Sequence, residues 1–394
     1  MATGAQWLVR AAPSGDNKRV KTLHLIVDTA HFETTKAGGA LDPDALDGAV
    51  LGQDALDRAA LDRCALDRAA AILRAGGLVA LPTETVYGLG ANALDRSAVE
   101  RIFAAKSRPA WDPIIVHIAS EAMLEGLVEE VPAAARRLMK HFWPGPLTLL
   151  LPRAPAVPDA VTAGRPLVGV RMPAHPVALE LIRRAGVPVA APSANRFGHI
   201  SPTTAQHVLD DLDGRIDAIL DAGPSPHGVE STVLDPSTTP MVIYRPGAVT
   251  AEQIREVAGP VEMYRSAGQL RETPAEALPS PGVGLRHYAP RARLVLVEAP
   301  LAELGACLEE AVKSEPGEQL GVLLPEGVAA PAAIAKKRVF LWGRWNAPEE
   351  LAQRLYAGLR ALDATGCTVI LCPLPAAEGI GAALRDRLQK AGTK

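Results

Sequence analysis

The sequence predicts an α/β protein in two domains. Apolar strand-like runs alternate with helical patterns from about residue 77 to residue 254, the pattern of helices layered on a sheet. A stretch rich in proline and glycine at 259–290 interrupts that alternation before a second series starts at Leu294, as expected of a linker between compact units. The 394 residues also exceed what a single core usually organises. The expected boundaries are a leader over 1–20, a first domain over 21–258, a linker over 259–292 and a second domain over 293–394.

Element by element, residues 22–28 alternate as a strand. The unit Ala-Leu-Asp then recurs at Ala40, Ala45, Ala55, Ala60 and Ala65 with no fixed period. This is a low-complexity insert over about 29–55 rather than a solenoid, which needs units of roughly 20 residues or more. From about Asp54 the apolar spacing becomes helical and ends at Gly76-Gly77, a glycine stop. Strands are expected at 77–81, 113–118, 147–151, 167–171 and 187–191, and helices at 97–105, 132–141, 176–185 and 203–212, the last capped by Thr203. The second domain reads strand 294–297, helix 301–313, strands 320–324 and 338–342, helix 348–364, strand 368–373 and helix 381–391. That order makes a small doubly wound α/β unit.

Composition narrows the function. Apolar residues make up 48% but form no run of about 18, so no membrane span is expected, and the first ten residues lack a signal-peptide pattern. A cytoplasmic location follows as the expectation. Cys64, Cys307, Cys367 and Cys372 fit neither a disulfide framework nor a paired CxxC zinc site. A net charge of −3 gives no global pull toward nucleic acid, so an anionic ligand must be met locally. GxxxxGK[ST], GxSxG and HExxH are absent, which removes the P-loop, nucleophile-elbow and zincin readings.

Chemistry concentrates where strands end. Leu81-Pro82-Thr83-Glu84-Thr85-Val86-Tyr87-Gly88-Leu89-Gly90 turns a buried run into a polar loop between glycines. Lys106-Ser107-Arg108-Pro109 places two cations at a helix end, and Pro109 forces the chain out of helical geometry so that both heads can converge on one anion; plain helix capping is the alternative. Ser193 and Asn195 follow the strand at 187–191, and Ser201 lies just ahead of the next helix, favourable ground for phosphate or ordinary turn chemistry. Gly228-Val229-Glu230-Ser231-Thr232 precedes another strand. Arg171 and Arg245 each stand at a strand end, alone no more than a surface ion pair, but with Lys106 and Arg108 enough for a cationic pocket that takes a polyphosphate or carboxylate.

The ordered set PTETVYGLG, KSRP followed by DPIIVH, WPGPLT, VRMPAHP, APSAN, GVEST, YRPG and RHYAP resembles the YrdC-type L-threonylcarbamoyladenylate synthases in their long, two-domain form. The resemblance implies a YrdC-like twisted sheet with a deep positive concavity, followed by a small Rossmann-like domain. It also implies the reaction: L-threonine, bicarbonate and ATP give threonylcarbamoyl-AMP, pyrophosphate and water. A downstream threonylcarbamoyl transferase then modifies tRNA, so tRNA is an indirect partner. By similarity Thr83, Thr85, His117, Arg171 and Ser231 face threonine. Lys106, Arg108, Asp112, Ser193, Asn195, Ser201 and Arg245 face ATP, with Lys106 and Arg108 the catalytic pair. Mg2+ is expected on the triphosphate rather than on protein ligands. His117 alternatively reads as a satisfied core histidine.

His287 and Tyr288 in the linker are expected to gate the site. Leu285 stands where such linkers usually carry an aromatic, and Asp112 where the family often has Asn. Two other classes weigh less: an RNA-binding module of the same fold, against which the absence of basic and aromatic interleaving argues, and a carbamoyl-transfer enzyme, whose extra zinc or acylphosphatase-like modules the cysteine count and length do not support. Lys106→Ala and Arg108→Ala are expected to abolish pyrophosphate release with little loss of fold, on the premise that both cations are exposed.

Overall fold

The structure, a computed structural model, describes residues 21–32, 53–264, 277–278, 280–281 and 288–392. The leader, most of the insert, His287 and Leu285 lie outside the described residues.

The first unit is built on an eleven-stranded sheet. In chain order its strands are β1 (Leu23–Ile26), β2 (Val79–Leu81), β3 (Gly88–Asn92), β4 (Val116–His117), β5 (Leu147–Pro152), β6 (Leu167–Arg171), β7 (Val189–Ala190), β8 (Ala218–Asp221), β9 (Thr232–Asp235), β10 (Met241–Arg245) and β11 (Val261–Met263). Across the sheet they run β1-β8-β2-β3-β7-β4-β6-β5-β9-β10-β11, with parallel and antiparallel pairs mixed. β11 pairs with β10 inside the stretch read as linker, so the sheet continues past residue 258.

Helices pack on both faces. α1 (Gln53–Arg74) and α5 (Pro176–Ala185) share a core with β2 and β8 through Leu66, Leu73, Leu181 and Leu220. The opposite core takes in α2 (Arg96–Lys106), α3 (Ala133–Phe142), α6 (Ala205–Leu212) and α7 (Ala251–Ala258), while α4 (Asp159–Thr162) is a single turn. Thr204, not Thr203, caps α6: its hydroxyl accepts the His207 N–H at 3.3 Å, whereas Thr203 is turned inward. The run at 113–118 pairs in a ladder only at β4, because Ile114 donates to Val161 outside the sheet.

The second unit has four parallel strands, β12 (Arg293–Val297), β13 (Leu320–Pro325), β14 (Val339–Gly343) and β15 (Val369–Pro373), ordered β12-β15-β13-β14. α8 (Leu301–Lys313) packs into one core; α9 (Pro348–Ala364) and α10 (Gly381–Gly392) pack into another. This is the doubly wound unit expected. The core under α9 and α10 also contains Val86, Ile200, Val229 and Tyr288, so one apolar cluster joins the two units. That junction lies beside the polar loops.

Candidate active site

A cleft with about 570 Å³ of empty space, open solvent at its mouth included, lies where β4, β6, β7 and β10 end. The turn after β2 forms one wall. Thr83 donates its hydroxyl proton to the Val86 carbonyl at 2.6 Å and accepts the Thr85 and Val86 N–H groups at 3.2 Å. The Thr85 hydroxyl meets that of Thr83 at 2.8 Å and receives a bond from Arg171 Nη1 at 3.0 Å. Both threonines line the cavity, as expected, but their hydroxyls are engaged in shaping the turn and aiming Arg171.

Arg171, the last residue of β6, also donates to the Gly145 carbonyl at 3.2 Å and pairs with Glu84 at 2.6 Å. Burial opposes the charge on Glu84, yet the Arg171 guanidinium and the Ala174 N–H hold its pKa below the usual value. His117 sits opposite Arg171 in the β4–β6 register. Burial first, then the Arg171 charge, pushes its pKa down to about 3, so the ring is neutral at physiological pH. Its Nδ1 is buried and has no hydrogen-bond partner among the described residues.

The facing wall departs from the expected convergence of Lys106 and Arg108. Between them Ser107 takes a left-handed conformation, φ 54°. Lys106 ends α2 with its Nζ donating to the carbonyls of Ser193, at 2.5 Å, and Asn195, so it lies beneath the 193–195 loop and not at the cavity surface. Burial and the nearby Arg108 charge lower its pKa well below the normal value. Arg108 does face the cavity and donates to the carbonyls of Asp112 and Pro113, at 3.1 and 2.7 Å. Asp112 pairs with Arg108 at 2.9 Å, which explains its charge here. Both cations are buried, 1% and 8% exposed. The premise of exposed cations is therefore corrected.

Arg245, at the end of β10, donates to the Ser231 carbonyl at 3.0 and 3.1 Å and to its hydroxyl at 3.1 Å; Ser231 also meets Thr148 at 2.8 Å. Ser193 lines the cavity, but Asn195 and Ser201 stand behind it. Asn195 Nδ2 donates to the Arg196 and His199 carbonyls at 2.9 and 2.7 Å, and Ser201 donates to Glu230 at 2.6 Å. Tyr288 borders the cavity at φ 63°, stacked on Tyr356 with ring centroids 5.8 Å apart. Four residues had no role in the sequence reading: Glu84, Glu230, Tyr356 and Arg387. The first two lie inside quoted motifs; the other two lie in the strings Leu355-Tyr356-Ala357 and Asp386-Arg387-Leu388, which also resemble the family but show no role until the chain folds.

Residues 71–247 match the family model of Sua5, YciO and YrdC, described as "Telomere recombination". Residues 249–393 match the model described as "Threonylcarbamoyl-AMP synthase, C-terminal domain". A relative from Pyrococcus abyssi (strain GE5 / Orsay), named Threonylcarbamoyl-AMP synthase, is 45% identical over 82% of this chain and 92% of its own. The chain belongs to the threonylcarbamoyl-AMP synthase family. The Bacillus subtilis (strain 168) member is also 45% identical, over 82% of this chain and 91% of its own. A crystal structure of P. abyssi Sua5 complexed with L-threonine superposes with a TM-score of 0.77, covering 84% of this chain and 94% of that one. Membership thus covers both units of this synthase-family chain, including the α9 and α10 residues that hold Glu230 of the cavity wall. Among the described residues no helix is long and apolar enough to cross a membrane.

Proposed function

We infer that this chain is a threonylcarbamoyl-AMP synthase, joining L-threonine, bicarbonate and ATP into threonylcarbamoyl-AMP with release of pyrophosphate and water, the first step of threonylcarbamoyladenosine formation in tRNA. One observation carries the reading: a single cavity lined by three buried arginines, Arg171, Arg108 and Arg245. Threonine's carboxylate suits Arg171, the neutral His117 adds no competing cation beside its amine, and Thr83, Thr85 and Ser231 complete the threonine site. The triphosphate suits Arg108 and Arg245. Ser193 borders it, while Lys106, Asp112, Asn195 and Ser201 hold that wall from behind, so Lys106 acts through the loop it stitches down.

The amine captures bicarbonate as a carbamate and water leaves. A carbamate oxygen then bonds to the α-phosphorus as the pyrophosphate bond breaks, which makes positioning and charge neutralisation the main tasks of the protein. Glu84, Asp112 and Glu230 are each in an ion pair with an arginine, so Mg2+ fits on triphosphate oxygens and not in a protein cage. Bound there, it would neutralise phosphate charge. Tyr288 and His287 form the gate. The product passes to a threonylcarbamoyl transferase in the cytoplasm, and tRNA enters only at that later step.

Purified protein without tRNA should release pyrophosphate from ATP only when threonine and bicarbonate are both present. Release indifferent to threonine would sink this reading.

A further inference from the structure

Glu230 is the carboxylate of the cavity wall that the second unit holds. Ser201 donates to it at 2.6 Å, the Tyr356 hydroxyl at 2.9 Å and Arg387 Nε at 2.7 Å. Arg387 Nη2 donates in addition to the carbonyl of Pro246, next to Arg245, at 2.9 Å. The Arg387 side chain is fully enclosed, with its guanidinium 5.1 Å from the Tyr288 ring centroid. Little slack exists around this contact. A Cβ on Gly228 would come within 2.5 Å of the Ala352 carbonyl oxygen in α9, and one on Gly247 within 2.3 Å of the Thr232 nitrogen.

The arrangement partitions charge. Arg171 and Arg108 each pair with a carboxylate, Glu84 and Asp112, whereas the hydrogen bonds of Arg245 among the described residues go to the neutral acceptors of Ser231. Glu230 immediately precedes Ser231. Deprived of Arg387 and Tyr356, its buried negative charge would draw on Arg245, the cation that acts on it next after Arg387, and an Arg245 turned onto Glu230 would give up its present aim at the cavity.

We propose that Arg387, assisted by Tyr356, is a positioning residue for the reaction: it saturates Glu230 and thereby keeps the charge of Arg245 available to the triphosphate. The second unit is then part of the electrostatics of the site. This inference rests on the reading of the cavity as a threonine and ATP site.

The test is steady-state pyrophosphate release by the full chain, varying MgATP and threonine separately. Wild type inert with threonine and bicarbonate would dispose of the underlying reading. With wild type active, Arg387→Met should raise KM for ATP about tenfold or more while KM for threonine stays within about twofold. Adding Glu230→Gln to Arg387→Met should restore KM for ATP to within about threefold of wild type; a purely structural role would show no such rescue. Tyr356→Phe, which keeps the ring, should shift KM for ATP in the same direction by less, and it carries the test should Arg387→Met not fold. An unchanged KM for ATP, equal losses toward both substrates, or failure of Glu230→Gln to rescue overturns the proposal.

Discussion

The guanidinium of Arg171 stands 2.6 Å from the Glu84 carboxylate, with both side chains about 95% buried. A buried pair of this kind is costly to half-remove, because the surviving charge has no water to turn to. Here it holds a cation at the cavity wall, aimed by Thr85.

Glu84→Gln should therefore destabilise the free protein by about 3–5 kcal/mol. If Arg171 receives threonine's carboxylate, the substrate supplies the lost counter-charge, and threonine should raise Tm more in the variant than in wild type. Thermal melts with and without threonine decide this. A smaller rise in the variant would remove Arg171 from the threonine site.

Acid should destabilise the fold in two windows. His117 and His175 are buried, which lowers their pKa from 6.5 to about 3 and about 4. Below pH 6.5 the unfolded chain binds protons that the folded one refuses, so stability falls as pH drops through that range, at up to about 1.4 kcal/mol per pH unit for His117. Glu230 also lies low, at about 2: burial opposes its charge, but Arg387 and then Arg245 outweigh burial. Its contribution is present above about pH 4.5 and is lost as pH falls toward 2. Urea titrations of wild type and His117→Asn between pH 4 and 7 should show a shallower decline in the variant. Parallel curves would mean that His117 is not held neutral.

The elements legible in the sequence were those whose evidence is local. The bounds of α5, α8 and α9 were read to the residue, because proline at the first helical position or a clean apolar spacing sets them. β4 shrank to two residues because a strand exists by what lies beside it, and the partners of Ile114 are not in its own segment. In the site, the motif residues were visible as polar density at strand ends, but their orientation was not. Lys106 and Arg108 were expected to converge on one anion, but Lys106 is bonded under the 193–195 loop while Arg108 lines the cavity. The role of Arg387, in a string that resembles the family, could not be read: its carboxylate partner is 157 residues away, in the other unit.

Lys106→Ala should now cost stability as well as activity. The ammonium holds two carbonyls of the 193–195 loop, and leaving them buried without a donor costs about 1–3 kcal/mol. A lowered urea midpoint together with lost pyrophosphate release is expected. A variant as stable as wild type would mean that the loop does not depend on Lys106.

Gly228→Ala probes the junction of the two units from its tightest point. The residue sits at φ +70°, so any side chain there pays about 1–2 kcal/mol for a left-handed backbone. Its methyl would also lie 2.5 Å from both the Ala352 oxygen and the Gln353 Cα. These are backbone atoms of α9 that no rotamer change can move, so the helix must retreat. Tyr356 lies one turn beyond Ala352 on that helix and holds Glu230, two residues from the substitution. The retreat should thus loosen the same carboxylate that Arg387 holds, raising KM for ATP alongside a lower Tm and faster proteolytic separation of the two units. For Gly247→Ala the three nearest atoms are backbone of the first unit, so it should lower Tm without speeding that separation. If both variants separate at the wild-type rate, the close approach of α9 to Gly228 does not hold the units together.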